Sequence, residues 1–213
     1  MAPRRVHARL AQAAVAVLVL IVLVYAAMRM RTDVRHLSAG TVPPNEVDRA
    51  FVAHPWLAYL HIAPGVVYLL GAPLQLAYRF RSRHYTVHRR LGRVLLSAAL
   101  LSGVFAIVFG VLFPYGGLGE TAATVVFGAW FLRCLVSAFR TIRQGDVVQH
   151  RRWMIRAFVV ALGVGTIRIW IGVLSEFGIM GFQDSFAVSF WISFVIHVVA
   201  AEWWIRTTPH PSG

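Results

Sequence analysis

The sequence has no lysine, one cysteine and only eight acidic residues among its 213 positions. The single cysteine, Cys134, excludes an internal disulfide. There is no phosphate-binding glycine loop, no serine or cysteine triad, and no pair of carboxylates within one helical segment. None of the usual catalytic sites of soluble enzymes is therefore visible in the sequence.

Apolar residues make up 58% of the chain, charged residues make up only 14%, and the mean hydropathy is +0.66. This composition is typical of an integral membrane protein and not of a soluble domain. Runs of about 20 apolar residues are long enough to cross a bilayer. The sequence therefore predicts one all-α domain over residues 1–213, a multi-pass transmembrane bundle with helices at about residues 10–28, 56–78, 91–113, 121–139, 154–174 and 186–205.

The first run follows several arginines, as a secretory signal does, but it is longer than a signal peptide's apolar region and ends against Arg29 and Arg31. We expect it to be retained as a helix.

The net charge of +13 is carried entirely by arginine. Fifteen arginines fall on one side of the predicted spans, in both terminal segments and in the connections between the second and third and between the fourth and fifth spans. Four fall on the opposite side, together with most of the acidic residues. The positive-inside rule then predicts cytoplasmic N and C termini. The charge indicates contact with anionic lipid headgroups and not binding of nucleic acid.

A short basic motif occurs twice: HRRLGR begins at His88, and HRRWMIR begins at His150, 62 residues later. Each histidine stands at the start of an apolar run and shares its helix face with a strip of small residues. The strips contain Ala99, Gly103, Ala106 and Gly110 in the third span, and Ala161, Gly165, Arg168 and Gly172 in the fifth. One interpretation is that the strips allow close helix packing while the motifs lie among the headgroups. The other is that the strips face each other across a gap filled by a flat cofactor, which the two histidines hold.

Two more histidines, His61 and His197, lie inside apolar runs, where an ionisable side chain is costly and indicates function. A b-type haem needs two neutral imidazoles on opposite faces, and an apolar helical bundle provides both the ligands and the low dielectric. His88 and His150 lie at matching heights and are the favoured iron ligands. His61 and His197 are a weaker second pair, because they lie about 27 and 13 Å from the arginine-rich side at 1.5 Å per residue.

Each histidine, taken singly, is also explained by a hydrogen bond to a freed carbonyl or a serine, and His61 and His197 are alternatively placed on a quinone site or proton path. Arg133 and Arg168 lie within predicted spans as well. An uncompensated arginine there costs at least about 2.5 kcal/mol, so we expect each to have a partner. The candidates are a haem propionate, Glu176, Glu202 or a bound anionic lipid.

The segment HIAPGVVYLLGAPLQ at residues 61–75 and the two His-Arg-Arg motifs together resemble the bacterial family of predicted membrane proteins known as domain of unknown function 2306. The resemblance extends over roughly residues 55–206. It implies a multi-pass protein of the bacterial plasma membrane, and it implies no particular activity. The pattern of one histidine per helix is more distantly similar to dihaem cytochromes b of the transmembrane oxidoreductase type, which is a likeness of architecture alone.

Three functions follow as hypotheses. The first is a haem b protein, a transmembrane oxidoreductase in which electrons pass between a cytoplasmic or quinone donor and an outer acceptor. The second is a small-solute or proton-coupled transporter with His61, His197, Arg133 and Arg168 along a polar path. The third is a non-catalytic assembly or regulatory subunit whose histidines are structural.

Overall fold

The computed structural model describes residues 2–208, with side chains from residue 9 onward, and all regular structure in that range is α-helical. The helices are α1 (Ala2–Ala39), α2 (Glu46–Ala53), α3 (Pro55–Leu76), α4 (Tyr78–Arg83), α5 (Tyr85–Leu112), α6 (Gly117–Arg143), α7 (Val147–Glu176) and α8 (Phe182–Thr207). All of them except the short α2 and α4 are long and apolar enough to cross a membrane. The prediction of an all-α bundle with six spans is confirmed.

The first helix is longer than the sequence predicted. We expected it to end at residue 28, before a long outer loop, but α1 continues to Ala39. Arg29 and Asp33 lie one turn apart and form an ion pair that supports the extension. The helix ends where Gly40 adopts a φ of 62° and the amide of Thr41 donates to the carbonyl of His36 at 3.0 Å.

Two short helices lie in the longer connections. Asn45 caps α2 by accepting a hydrogen bond from the amide of Val47 at 2.9 Å. At the other end of α3, Ala77 is extended, with φ −69° and ψ 120°, so the helix stops at Leu76, two residues before the predicted end. The chain then forms α4, which places its arginines just before α5 begins.

Four helices form a closed core. Around it, α3 contacts α5, α5 contacts α6, α6 contacts α7, and α7 contacts α3. Helix α1 packs against α3 and α7, and α8 packs against α6 and α7. Among the described residues α5 and α7 do not contact each other, because they stand on the diagonal of the core. The buried core side chains are Tyr68, Leu69, Ala72, Leu95, Ala99, Cys134, Leu135, Ala157, Phe158 and Leu162.

The two strips of small residues do not face each other. A Cβ on Gly103 of α5 would lie 2.8 Å from Leu132 of α6, whereas a Cβ on Gly165 of α7 would lie 2.9 Å from the carbonyl oxygen of Leu18 on α1. A Cβ on Gly172 would meet nothing within 4 Å. The interpretation that the strips line one shared gap is therefore wrong, since each strip admits a different neighbouring helix at close range.

Short connections make successive spans antiparallel, so the bundle has two chemically different ends. The arginine-rich end contains the beginnings of α1, α5 and α7, the whole of α4, and the ends of α6 and α8. The opposite end, called here the acidic end, contains α2 and the connections at residues 113–116 and 177–181.

Candidate functional site

The histidines of the repeated motif lie at the same end of the bundle. His88 is in the first turn of α5, and His150 is in the first turn of α7. These helices are diagonal in the four-helix core, and the two rings are close enough for their charges to interact. The structure therefore places the two residues that the repeat singled out at one end of the bundle, on helices that do not contact each other among the described residues.

Hydrogen bonding fixes the ring of His150 and leaves that of His88 unpaired. Nδ1 of His150 lies 2.8 Å from the carbonyl oxygen of Ala138 on α6. A carbonyl only accepts, so Nδ1 carries the proton and Nε2 holds the lone pair. Nδ1 of His88 is buried and has no hydrogen-bond partner in the described part of the chain. A buried nitrogen left without a partner costs about 1 to 3 kcal/mol and calls for an explanation.

Arginine surrounds this histidine pair. Arg81 of α4 is close enough to His88, His150 and Arg151 to interact electrostatically with all three. Neither Arg81 nor Arg151 belongs to an ion pair between described residues. Arginine outnumbers acidic residues here, since Asp146 at the beginning of α7 is the nearby carboxylate and accepts from the amide of Gln149, so the site suits an anionic group such as a propionate or a phosphate. The sequence analysis did not single out Arg81, although its position seven residues before His88 was a usable signal.

Two features of the histidine pair are those that a bis-imidazole haem site requires. Diagonal helices of a four-helix core are where facing ligands for one flat group are found, and a histidine that donates its other N–H to a backbone carbonyl has the orientation typical of metal ligands. The buried Nδ1 of His88 is a separate feature, because the contacts among the described residues do not explain why it has no hydrogen-bond partner.

His61 has a different environment. Its Nδ1 lies 3.0 Å from the carbonyl oxygen of Ser102 and 3.1 Å from the Ser102 hydroxyl, which itself donates to the carbonyl of His61 at 2.8 Å. These contacts fasten α3 to α5.

His197 fastens α8 to α7. Its Nδ1 donates to the carbonyl of Val159 at 2.7 Å, and its Nε2 lies 2.6 Å from the hydroxyl of Thr166. Both ring nitrogens are occupied, and α3 and α8 have no contact among the described residues. The structure thus does not bring His61 and His197 together, and a second iron site at this pair stays a prediction from the sequence.

The two arginines within the spans differ in exposure. Arg133 is exposed on α6, where its guanidinium lies 5.4 Å from the ring centre of Trp130 and lines a surface cavity of about 420 Å³. The expectation that Arg133 is buried is wrong, because the adjacent Cys134 takes the inward position.

Arg168 is half-buried and lies 5.5 Å from the ring centre of Tyr25 on α1. It is close enough to His61 and Glu120 for their charges to interact. Eighteen residues of α7 separate it from His150, or about 27 Å, so it belongs to the acidic half of the bundle and not to the site at His88.

Glu202 and Glu176 were the expected partners of these arginines. Glu202 pairs instead with Arg156, and none of the ion pairs between described residues includes Glu176.

A polar file on α3 was only partly anticipated. His61, Tyr68 and Gln75 are spaced by seven residues, which puts them on one helix face. Tyr68 is 2% exposed and Gln75 is 8% exposed. The Tyr68 hydroxyl and both amide atoms of Gln75 are buried without hydrogen-bond partners among the described residues. In the sequence, His61 and Gln75 are recognisable as polar residues on one face of this span, whereas Tyr68 between them was missed.

A second polar network lies at the acidic end, in a segment where the sequence indicated no functional site. Asp33 is fully buried, and its carboxylate accepts a hydrogen bond from Tyr59 at 3.1 Å and pairs with Arg29. Arg29 also pairs with Asp48 of α2 and lies 4.5 Å from the ring centre of Phe51. The four-residue spacing of Arg29 and Asp33 was the available signal.

These observations define a polytopic α-helical membrane protein with one basic, histidine-containing site at the end of a four-helix core. The family model described as Predicted membrane protein (DUF2306) matches residues 58–205. The chain belongs to this family, as the sequence motifs predicted. No curated protein and no solved structure matches the chain.

Proposed function

We propose that the protein binds one haem b between His88 and His150 and transfers electrons within or across the membrane. The observation that carries the proposal is the position of two histidines in the first turns of diagonal helices, at the same end of an apolar bundle, with one of them oriented by a backbone carbonyl. Haem b, when bound, takes up and releases one electron at its iron.

The residues of the chain have separate roles in this proposal. The carbonyl of Ala138 holds the His150 ring with its Nε2 lone pair available. His88 would supply the second imidazole. Arg81 and Arg151, which lack a protein counter-charge at ion-pair distance, offset the negative charge of the propionates. Leu95 and Phe158 begin the buried apolar core about two helical turns further along α5 and α7 from the two histidines.

The setting of the site follows from charge. We place the arginine-rich end in the cytoplasm of a bacterial plasma membrane, where arginines meet anionic headgroups. An electron donor or acceptor, a quinone or a redox protein, then meets the site from the cytoplasmic side. The cost of bringing an anionic cofactor into the bilayer is lowest there, since the site lies at the foot of the spans.

The test is an absorption spectrum of the detergent-purified protein, oxidised and then reduced with dithionite, with haem measured per chain. We expect the sharp reduced band of a bis-histidine haem b and one haem per chain. His88→Ala and His150→Ala each lose the haem, whereas His84→Ala keeps it. His84 is the matched control because it is exposed and caps the same helix as His88.

Haem retained by both variants would contradict the assignment to this pair. Two haems per chain would restore His61 and His197 as a second site. A colourless protein from cells supplied with excess haem would overturn the proposal and favour a transporter or an assembly subunit.

A further inference from the structure

The polar file of His61, Tyr68 and Gln75, called here the α3 file, has no role in the proposed haem site. Seven residues of helix advance the chain about 10.5 Å and return it to nearly the same face, so the file extends about 21 Å through the bundle. We infer that the α3 file holds a chain of buried water molecules and conducts protons between the two ends of the protein.

The α3 file contains buried polar atoms that have no hydrogen-bond partner among the described residues. The hydroxyl of Tyr68 and both amide atoms of Gln75 have no partner among the described residues, although each side chain is at least nine-tenths buried. Buried polar atoms in proteins are nearly always hydrogen-bonded, to ordered water where no protein group is available. The two amide atoms of Gln75 provide the two polar contacts that one internal water needs, and the Tyr68 hydroxyl, about 10.5 Å further along the helix, provides a contact for another.

The tightness of the interface between α3 and α5 is the second argument. A Cβ on Gly65 would lie 2.8 Å from the Ser102 hydroxyl, and a Cβ on Gly71 would lie 2.6 Å from Leu95. No quinone or porphyrin fits between helices packed this closely. The occupant is therefore limited to a molecule of the size of water, and near Gln75 the packing is looser, since a Cβ on Gly92 would stand at an ordinary contact distance of 3.5 Å from its amide oxygen.

The ends of the α3 file are the third argument. His61 is bonded to Ser102 and lies near Arg168, and two residues earlier Tyr59 donates to Asp33 of the network at the acidic end. Gln75 lies one residue before α3 ends, next to the arginines of α4. Each end of the α3 file therefore lies within a few residues of a polar region of the bundle.

Conduction along the α3 file leaves the protein unchanged. A proton that reaches a water beside Tyr68 adds to its oxygen, and another proton leaves on the far side, so one proton enters for each one that leaves. The Tyr68 hydroxyl accepts one proton and releases another in the same sequence. The charge that crosses must be balanced by a counter-ion. The positive charge of Arg168 near His61 opposes the passage of a cation and makes this the slowest point.

The test is proton flux into vesicles that contain the full-length protein and a pH-sensitive dye, with K⁺ and valinomycin to balance charge. We expect flux above that of protein-free vesicles. Tyr68→Phe and Gln75→Leu each lower it about tenfold, since each removes a hydrogen-bonded step from the chain. Arg168→Gln raises it. The matched control is Thr124→Val, which removes another buried and unpaired hydroxyl, on α6 and outside the α3 file.

A second measurement tests for the water directly. Brief X-ray irradiation makes hydroxyl radicals from bound water, which label side chains in contact with it. We expect label on Tyr68, despite its 2% exposure, and none on Phe158, which is 4% exposed in the same core.

An unlabelled Tyr68 overturns the inference, as does flux in the Gln75→Leu variant equal to that of the unaltered protein. The inference does not rest on the proposed haem. We expect Tyr68→Phe and Gln75→Leu to keep the reduced spectrum of the unaltered protein, so loss of flux and loss of haem are separate outcomes.

Discussion

Arg156 of α7 and Glu202 of α8 face each other across the interface of their helices, and the guanidinium donates to both carboxylate oxygens, at 2.9 Å for the Nη2 contact. The same guanidinium lies 4.6 Å from the ring centre of Trp153. Both side chains are mostly buried, at 15% and 30% exposed. The pair therefore joins α8 to α7, the spanning helix that contacts the most other described spans.

Removal of one member of this pair should destabilise the protein. We expect Glu202→Gln to cost about 1 to 3 kcal/mol, between the values for exposed and buried ion pairs, because it leaves Arg156 without its counter-charge. The measurement is thermal unfolding in detergent. Glu176→Gln is the control, since Glu176 is exposed at the acidic end. An equal midpoint for both variants would show that the pair contributes nothing.

The packing of α1 on α7 should depend on one glycine. We expect Gly165→Ala to lower stability by about 1 to 3 kcal/mol, because the new methyl group would meet the backbone oxygen of Leu18 at 2.9 Å. Gly172→Ala, on the same helix, meets nothing within 4 Å and should have no such effect. Thermal unfolding of the two variants in parallel decides the matter, and identical midpoints would argue against close contact of α1 at Gly165.

Replacement of Asp33 should lower the stability of the protein more than replacement of Tyr59, which donates a hydrogen bond to it. Asp33→Ala removes the fully buried carboxylate that both Tyr59 and Arg29 contact, whereas Tyr59→Phe removes one hydrogen bond, worth about 1 kcal/mol. We expect the larger loss of stability for Asp33→Ala, together with faster proteolysis of the connection at residues 40–45. The expectation fails if Tyr59→Phe is as damaging as Asp33→Ala.

The orientation in the membrane can be measured with two introduced cysteines. Val147 at the arginine-rich end and Ile179 at the acidic end are 55% and 63% exposed, whereas the native Cys134 is fully buried. We expect an impermeant maleimide added to intact spheroplasts to label Ile179→Cys and to spare both Val147→Cys and the unaltered protein. Label on Val147→Cys alone would show that the arginine-rich end faces outward, opposite to the predicted orientation.

Anionic lipid should be retained at the arginine-rich end. Arg89, Arg90 and Arg93 line a cavity of about 300 Å³ together with Thr86. We expect glutamine at all three positions to weaken retention by about 1 kcal/mol per arginine, measured as co-purified anionic phospholipid by mass spectrometry. Glutamine at Arg31 and Arg35, exposed near the acidic end, is the control and should change little. An equal loss of co-purified anionic phospholipid from both sets of variants would mean that the cavity at Arg89, Arg90 and Arg93 does not bind the lipid specifically.

The sequence predicted the spans because a membrane imposes a length and an apolar composition that are visible in one dimension. It also singled out His88 and His150, since the repeated motif marked the beginning of two helices. It did not predict which side chains meet. On a helix that is apolar all round, periodicity does not identify the buried face, so Arg133 was assigned inward when its neighbour Cys134 takes that position.

Partners between helices depend on the rotation of each helix about its axis, which no local signal fixes. For this reason Glu202 was a candidate ion-pair partner of Arg168 in the sequence analysis, whereas in the structure it forms an ion pair with Arg156. The stop of α3 at Leu76, which brings Arg81 to the histidine pair, depends on one extended residue, Ala77. By contrast, the seven-residue spacing of His61, Tyr68 and Gln75 is visible in the sequence. The shared face of His61 and Gln75 could have been recognised to include Tyr68, which lies midway between them.

Helix α7 contacts α1, α3, α6 and α8, and it is the fifth span in chain order. A ribosome delivers spans from the N-terminus onward, so four spans enter the bilayer before the helix that most of them pack against. During this interval α1 has no neighbour among the spans except α3. Biosynthesis thus passes through an open intermediate in which the sides of α1, α3 and α6 that later contact α7 face lipid or an insertion factor, and closure of the protein coincides with the arrival of its second His-Arg-Arg motif.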